Sequence, residues 1–175
     1  MMRITIGLIL FLAFFLDYSF FPQLTLNYPG YFLVLAILAS LALLEESRFL
    51  WIWFFLVAFL WDAFSILPRG VFLLSIFLLW AGVLIARLKI ISEQWGFFAK
   101  IAFFIIFFWL FRLFFYCIAS IGNFFVKERQ VLFSGEVFSL ELIYSGLFVV
   151  ASSLVYLFFE KVFVFFEKDD QGLKL

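Results

Sequence analysis

The sequence predicts an all-α membrane protein, built as a six-helix transmembrane bundle. Apolar residues make up 68% of the chain and charged residues only 14%, against about 45–50% and about 25% in an average soluble domain. Such a chain has more apolar surface than one soluble core can cover, so lipid is its expected solvent. The apolar residues fall into six runs with short polar connections, and 175 residues suit a single integral membrane domain, 1–175.

Each span is placed on the rule that a crossing helix needs about 20 apolar residues, with a range of about 17–25. The predicted spans cover residues 4–21, 28–44, 49–67, 71–86, 95–121 and 137–159. Pro22 stops the first span, Pro29 and Gly30 open the second, and the last helix has room to continue to Glu167. The second span is the shortest, and its apolar core YFLVLAILASLALL also fits a re-entrant segment.

The Lys and Arg residues near the predicted helix ends favour cytoplasmic N- and C-termini. With the N-terminus inside, eight of these cations are cytoplasmic, three are external, and Arg112 lies within a span. The eight are Arg3, Arg48, Arg87, Lys89, Lys100, Lys161, Lys168 and Lys174, and the three are Arg69, Lys127 and Arg129. Two termini on one side require an even number of spans, so this orientation depends on the second span crossing the membrane.

Composition also argues against several kinds of site. The chain has no His, and its one cysteine, Cys117, lies inside an apolar run. Soft-metal sites, disulfide frameworks and nucleophile–His catalysis are therefore not expected. The net charge is zero, so no basic field attracts nucleic acid. We expect a non-enzymatic protein without a metal or other cofactor, whose surroundings are membrane lipid.

The few charges inside the predicted spans fall in the external half of the membrane. A charged side chain at a helix centre costs about 2.5–3.5 kcal/mol to insert, so such groups usually pair. We expect an intramembrane cluster of Asp17, Arg112 and Glu141, because the planar fork of arginine can hold two carboxylates; Asp62 is a further candidate. The alternatives are an Arg112 that reaches the headgroups, an interfacial Asp17, and carboxylates of Glu136 and Glu141 that favour a helix N-terminus.

The segment FLWDAFSILPRG places Asp62 directly after an apolar run, near the C-terminal end of the third span. A negative charge there opposes the helix dipole, so its own helix does not favour it. Pro68 disfavours helix at the preceding residue, and Gly70 permits a tight approach of the backbone. Two interpretations remain open: Asp62 orders the turn by accepting the free backbone N–H groups that open the fourth helix, or it contacts a partner or ligand.

Small residues spaced four apart predict close approach of neighbouring helices. Ala36 and Ser40 form such a pair in the second span, and Gly82 and Ala86 form another in the fourth. Packing within the protein is the favoured interpretation, and a face that docks a partner is the alternative.

The segment WFFLVAFLWDAFSILPRGVFLLSIFLLWAGVLIAR, residues 53–87, resembles the rod-shape-determining MreD family of bacterial inner-membrane proteins. That family has an apolar helix that ends in a leucine-rich run, then Asp, a short turn with Pro-x-Gly, and a second apolar helix containing Gly. Asp62, Pro68, Gly70 and Gly82 match those places. The segment SLELIYSGLFVVASSLVYLFFEKVF also has the general character of the family's last helix.

The resemblance implies a scaffold in the bacterial inner membrane that works with MreC, and indirectly with the actin-like MreB and the cell-wall synthesis enzymes, in cell elongation and rod shape. MreD-like proteins are similar in fold to the six-helix S-components of energy-coupling-factor vitamin transporters. A substrate-binding carrier subunit of that type is therefore the alternative function. The sequence leaves open whether the protein forms homo-oligomers.

Overall fold

The structure, a computed structural model, describes residues 2–19, 32–44, 47–64, 70–90, 96–126 and 135–172, all of which are α-helical except Gly70 and Gly96. No strand occurs among these residues, so the all-α prediction is confirmed. The helices are α1 (Met2–Ser19), α2 (Phe32–Leu44), α3 (Ser47–Phe64), α4 (Val71–Ile90), α5 (Phe97–Val126) and α6 (Gly135–Gly172).

Each helix coincides with one of the six predicted apolar stretches, and α4, α5 and α6 continue beyond them. The extension is longest in α6, which runs to Gly172 because no Gly or Pro lies between Phe159 and that residue. The predicted stop at Pro22 and the predicted start at Pro29 and Gly30 lie outside the described residues.

Two of the described helices are long and apolar enough to cross a membrane, judged by length and composition. These segments are Phe97–Ile118 in α5, with 22 residues, and Glu141–Phe165 in α6, with 25 residues. The apolar segments of the other four helices are shorter, at 10–17 residues. A crossing by all six helices stays a prediction.

The helices form two compact units. Unit 1 comprises Met1–Glu46 with Val150–Leu175, and unit 2 comprises Ser47–Val149. The last helix contributes its first part to unit 2 and its remainder to unit 1. The prediction of a single integral membrane domain stays a prediction.

In unit 1, α2 is buried on every side from Val34 to Ala42. A helix that is apolar all round is expected in such a position. The Ser40 hydroxyl lies 2.8 Å from the carbonyl oxygen of Ala36 and 3.1 Å from that of Ser152 in α6, so it can donate to either. The small side chain of Ser40 thus allows the backbones of α2 and α6 to come close together, as predicted for small residues at this spacing.

In unit 2, α3 and α4 run antiparallel. Ring centroids are 5.5 Å apart between Trp61 and Phe72, and 6.0 Å apart between Phe55 and Phe77. Residues earlier in α3 therefore face residues later in α4. The short connection between these helices favours this arrangement.

The third helix of unit 2, α5, runs parallel to α3. The ring of Phe54 lies 6.2 Å from that of Phe107, and the ring of Trp61 lies 6.5 Å from that of Phe111. Other phenylalanines of unit 2 also have almost no exposed surface: Phe104, Phe108 and Phe148. Phenylalanine thus fills the interior as well as the outer surface, where rings such as Phe59 and Phe98 are exposed.

Candidate functional site

An ion pair joins α5 to α6 inside unit 2. Arg112 donates from Nε to Oε2 of Glu141 at 2.8 Å, and its Nη2 contacts Oε1 of the same carboxylate. Only 4% of the Arg112 side chain and 6% of the Glu141 side chain are exposed. The rings of Phe108 and Phe148 lie 5.0 Å apart and pack the same two helices together. Arg112 is therefore directed into the unit, and it does not extend along the surface toward headgroups.

Tyr116 closes this pair into a three-membered network, here called the Arg112 network (Arg112, Tyr116 and Glu141). Nη2 of Arg112 donates to the Tyr116 hydroxyl at 2.8 Å, and that hydroxyl donates to Oε1 of Glu141 at 2.7 Å. The guanidinium carbon also lies 4.9 Å from the centre of the Tyr116 ring, within the range of a cation–π contact. Both carboxylate oxygens of Glu141, the Tyr116 hydroxyl and two nitrogens of Arg112 thus have partners, as burying charge requires.

Sequence reasoning identified Arg112 and Glu141 and missed Tyr116. A signal was available, because residues four apart on a helix share a face, and Tyr116 lies one turn after Arg112. The helix-terminus alternative for Glu141 does not describe its position, since α6 begins at Gly135 and Glu141 lies in the second turn. The side chain of Glu136 lies outside the described residues.

A layer of aromatic rings separates the Arg112 network from the turn that follows α3. Phe72 packs on Phe115 at 5.2 Å and on Trp61 at 5.5 Å, and Phe115 packs on Tyr116 at 5.9 Å. Phe115 and Trp61 are buried. The end of α3, the start of α4 and the Arg112 network therefore lie at the same end of unit 2.

Asp62 bridges the end of α3 and the start of α4. Its Oδ2 accepts the backbone N–H of Gly70 at 2.8 Å, and its Oδ1 accepts that of Phe72 at 3.1 Å. These N–H groups open a helix, where no intrahelical acceptor exists. The carboxylate opposes the dipole of its own helix but complements that of α4. This is the geometry of the turn-ordering interpretation. Pro68 lies outside the described residues.

Gly70 has a backbone φ of +95°, a region that side chains disfavour. We expect Gly70→Ala to lower the free energy of unfolding by about 1 kcal/mol or more. The cause is backbone strain and not a steric clash, since an added Cβ meets nothing within 4 Å. Gly82→Ala is the matched control, since Gly82 lies inside α4 and its Cβ position is equally open. The control should stabilise by about 0.5–1 kcal/mol. The measurement is thermal unfolding in detergent. A shift of the unfolding temperature in the same direction for both variants would contradict this interpretation.

The open space around Gly82 also bears on the predicted small-residue pair in α4. A Cβ built at this residue has no heavy atom within 4 Å, so Gly82 does not support a close helix contact in the described part of the chain. The side chain of its predicted companion, Ala86, is not among the described ones.

Asp17 lies in unit 1, where its carboxylate holds the start of α2. Oδ1 accepts the backbone N–H of Leu33 at 3.0 Å, and Oδ2 accepts that of Val34 at 2.8 Å. The residue has no exposed surface, so it is not the interfacial carboxylate of the alternative interpretation. Of the predicted cluster, the structure brings Arg112 and Glu141 together, whereas these hydrogen bonds of Asp17 run to the backbone.

The described residues contain little that points to catalysis. No group of three His, Cys, Asp or Glu side chains among them is placed to hold a metal ion. Cys117 is exposed and forms no disulfide. The Arg112 network and the two aspartates hold helices to one another, so the chemistry they supply is that of hydrogen bonding and charge neutralisation.

Unit 1 also has an apolar groove, with a volume of about 360 Å³, between α1, α2 and α6. Ile9 and Leu12 of α1, Ile37 of α2 and Phe158 of α6 are among the side chains that line it. Among the residues that the structure describes, only apolar ones line the groove, and these offer no means of orienting a polar ligand.

Comparisons with protein-family models, with curated proteins and with solved structures found no match for this chain.

Proposed function

We propose that this protein is a non-enzymatic scaffold of the bacterial cell-elongation machinery, which binds MreC in the inner membrane and helps to maintain rod shape. The observation that carries the proposal is the turn between α3 and α4. Asp62 and Gly70, two of the residues on which the resemblance to the MreD family depends, are joined by a hydrogen bond of 2.8 Å. The conformation of Gly70, with φ of +95°, requires glycine. Asp62 and Gly70 therefore connect the end of α3 to the start of α4, and this connection is the proposed recognition element.

The proposed architecture is a six-span bundle with both termini in the cytoplasm. Its support is the alternation of direction from α3 to α6 in unit 2, together with the apolar composition of all six helices. Helix α6 runs antiparallel to α5, because Phe108 meets Phe148 while the later Arg112 meets the earlier Glu141. The helix that needs most explanation is α2, whose 13 residues extend about 20 Å against about 30 Å of hydrocarbon. Its ends then lie below the membrane surface, which is tolerated where protein surrounds them, and Asp17 satisfies the N-terminal end.

Cysteine labelling tests this topology. In a Cys117→Ser background, we expect Ser19→Cys and Phe64→Cys to react with an impermeant maleimide from the external side, and Glu46→Cys to react only after the cytoplasmic side is exposed. Cys117 is exposed in the structure, so its removal is needed for a clean background. Labelling of positions 19 and 46 from the same side would show that α2 does not cross.

The scaffold function is tested by deleting the gene in a rod-shaped host. We expect the cells to become round, to regain rod shape when the wild-type protein is supplied, and to yield MreC together with the tagged protein. An Asp62→Asn variant should restore shape poorly at equal expression, because the turn that it orders is the proposed recognition element. Asp169→Asn, in the last turns of α6, is the matched control and should restore shape fully. Deletion cells that keep a normal rod shape would contradict the proposal.

The groove in unit 1 bears on the alternative, a carrier of the S-component type. A vitamin needs polar groups that fix its orientation, and the described residues that line this groove are apolar. A carrier would use Arg112 to meet an anionic ligand, but this side chain is hydrogen-bonded to Glu141 and Tyr116. These observations favour the scaffold over the carrier.

A further inference from the structure

Two helices of equal length carry an aspartate at the same place. Helices α1 and α3 each have 18 residues, Asp17 is two residues before the end of α1, and Asp62 is two residues before the end of α3. When the two helices are superposed residue by residue, Arg3 also matches Arg48. Two further matches are Ala13 with Ala58 and Phe14 with Phe59. The chain is short of charged residues, so the coincidence of both an arginine and an aspartate is informative.

The two aspartates also make the same kind of contact. Each uses both carboxylate oxygens, and each accepts two backbone N–H groups at the start of the helix that follows its own. In α2 the donors are the second and third residues, Leu33 and Val34, and at α4 they are Gly70 and Phe72. These N–H groups belong to the first turn, whose donors have no partner within their own helix.

The contact favours an antiparallel arrangement of the two helices. A carboxylate near the C-terminal end of a helix is opposed by the dipole of that helix and is stabilised by the N-terminus of an antiparallel neighbour. The gain is therefore made only when the second helix folds back beside the first. The other two aspartates of the chain, Asp169 and Asp170, lie near the end of α6.

We propose that α1–α2 and α3–α4 are two copies of one helical hairpin, and that each copy is closed by an aspartate latch, defined as Asp17 on Leu33 and Val34, or Asp62 on Gly70 and Phe72. The latch sets where the second helix of each hairpin begins, whatever the sequence of the connection. The connections differ, with 12 residues between α1 and α2 and six between α3 and α4. This inference goes beyond the scaffold function and does not depend on any partner.

Backbone hydrogen exchange, measured residue by residue on the full-length protein in detergent, tests the latch. In the wild type we expect the amides of Leu33, Val34 and Phe72 to exchange about tenfold more slowly than those of Phe97 and Phe98, the value expected for one hydrogen bond. Phe97 and Phe98 are the reference, because they open α5 and the described backbone offers their amides no acceptor. Equal exchange at both sets of amides would overturn the proposal without requiring any variant to fold.

Two conservative variants then test whether the copies act separately. Asp17→Asn removes one acceptor oxygen and the charge, so exchange at Leu33 and Val34 should rise severalfold while Gly70 and Phe72 keep their wild-type rates. Asp62→Asn should give the reverse pattern, and Asp169→Asn should change neither. Faster exchange in both hairpins from either single variant would mean general destabilisation and would refute two independent latches. Because no partner is present, this outcome is separate from the test of MreC binding.

Discussion

Replacing Arg112 with leucine is expected to lower the free energy of unfolding by about 3–5 kcal/mol, the usual loss when one partner of a buried ion pair is removed. The variant leaves the Glu141 carboxylate buried without its cation. Only 6% of the Glu141 side chain is exposed. The Tyr116 hydroxyl still donates to Glu141, but a single neutral donor does not replace the charge. The result is measured as reversible unfolding in a denaturing detergent or as thermal unfolding in a mild one.

The double variant Arg112→Leu with Glu141→Leu should recover most of the lost stability, because replacing both members of a buried pair with apolar residues is often neutral. Leu113→Ala is the matched control, since Leu113 is the next residue of α5 and is 56% exposed. It should change stability by less than about 1 kcal/mol. A wild-type stability for Arg112→Leu alone would mean that the ion pair contributes nothing to the fold.

Asp17→Ala is expected to destabilise the protein by about 2–6 kcal/mol, since two N–H groups at the start of α2 lose their acceptors and each unsatisfied buried group costs about 1–3 kcal/mol. Asp17 has no exposed surface, so water is not placed to substitute for the carboxylate. Asp62→Ala removes the same number of hydrogen bonds from a partly exposed position, and should cost only about 0.5–2 kcal/mol, as for other helix caps.

The difference in stability between these two variants tests the effect of burial more directly than either variant alone. Both are measured under one detergent condition as the shift in unfolding midpoint, with Asp169→Ala as the control that should show no shift. A larger loss for Asp62→Ala than for Asp17→Ala would contradict the argument that burial decides the size of the effect.

These predictions concern four charged side chains that hold helices together. Arg112 and Glu141 connect α5 to α6, Asp62 connects α3 to α4, and Asp17 connects α1 to α2. This helix-joining role is compatible with the proposed scaffold.

The role of a residue could be predicted from the sequence when its partners lie close to it in the chain. For Asp62, the opposed dipole, the following Pro68 and the nearby Gly70 lie within a few residues, and the sequence alone suggested acceptance of the N–H groups that open α4. For Asp17, the acceptor and its donors Leu33 and Val34 are 16 and 17 positions apart. Nothing in the local sequence of α1 pointed to them, so a charge cluster was predicted instead.

The sequence by itself determined that the described part of the chain is helical, where its six apolar stretches lie, and which few charges need partners. These features follow from composition and spacing, because a backbone or charged group in apolar surroundings is costly unless it is paired. Only the tertiary structure decided which partner each charge has. Arg112 had several carboxylates within its predicted reach, and the packing of Phe108 on Phe148, which sets α5 against α6, selected Glu141 and added Tyr116. That choice depends on the relative position of helices far apart in the chain, which local periodicity does not encode.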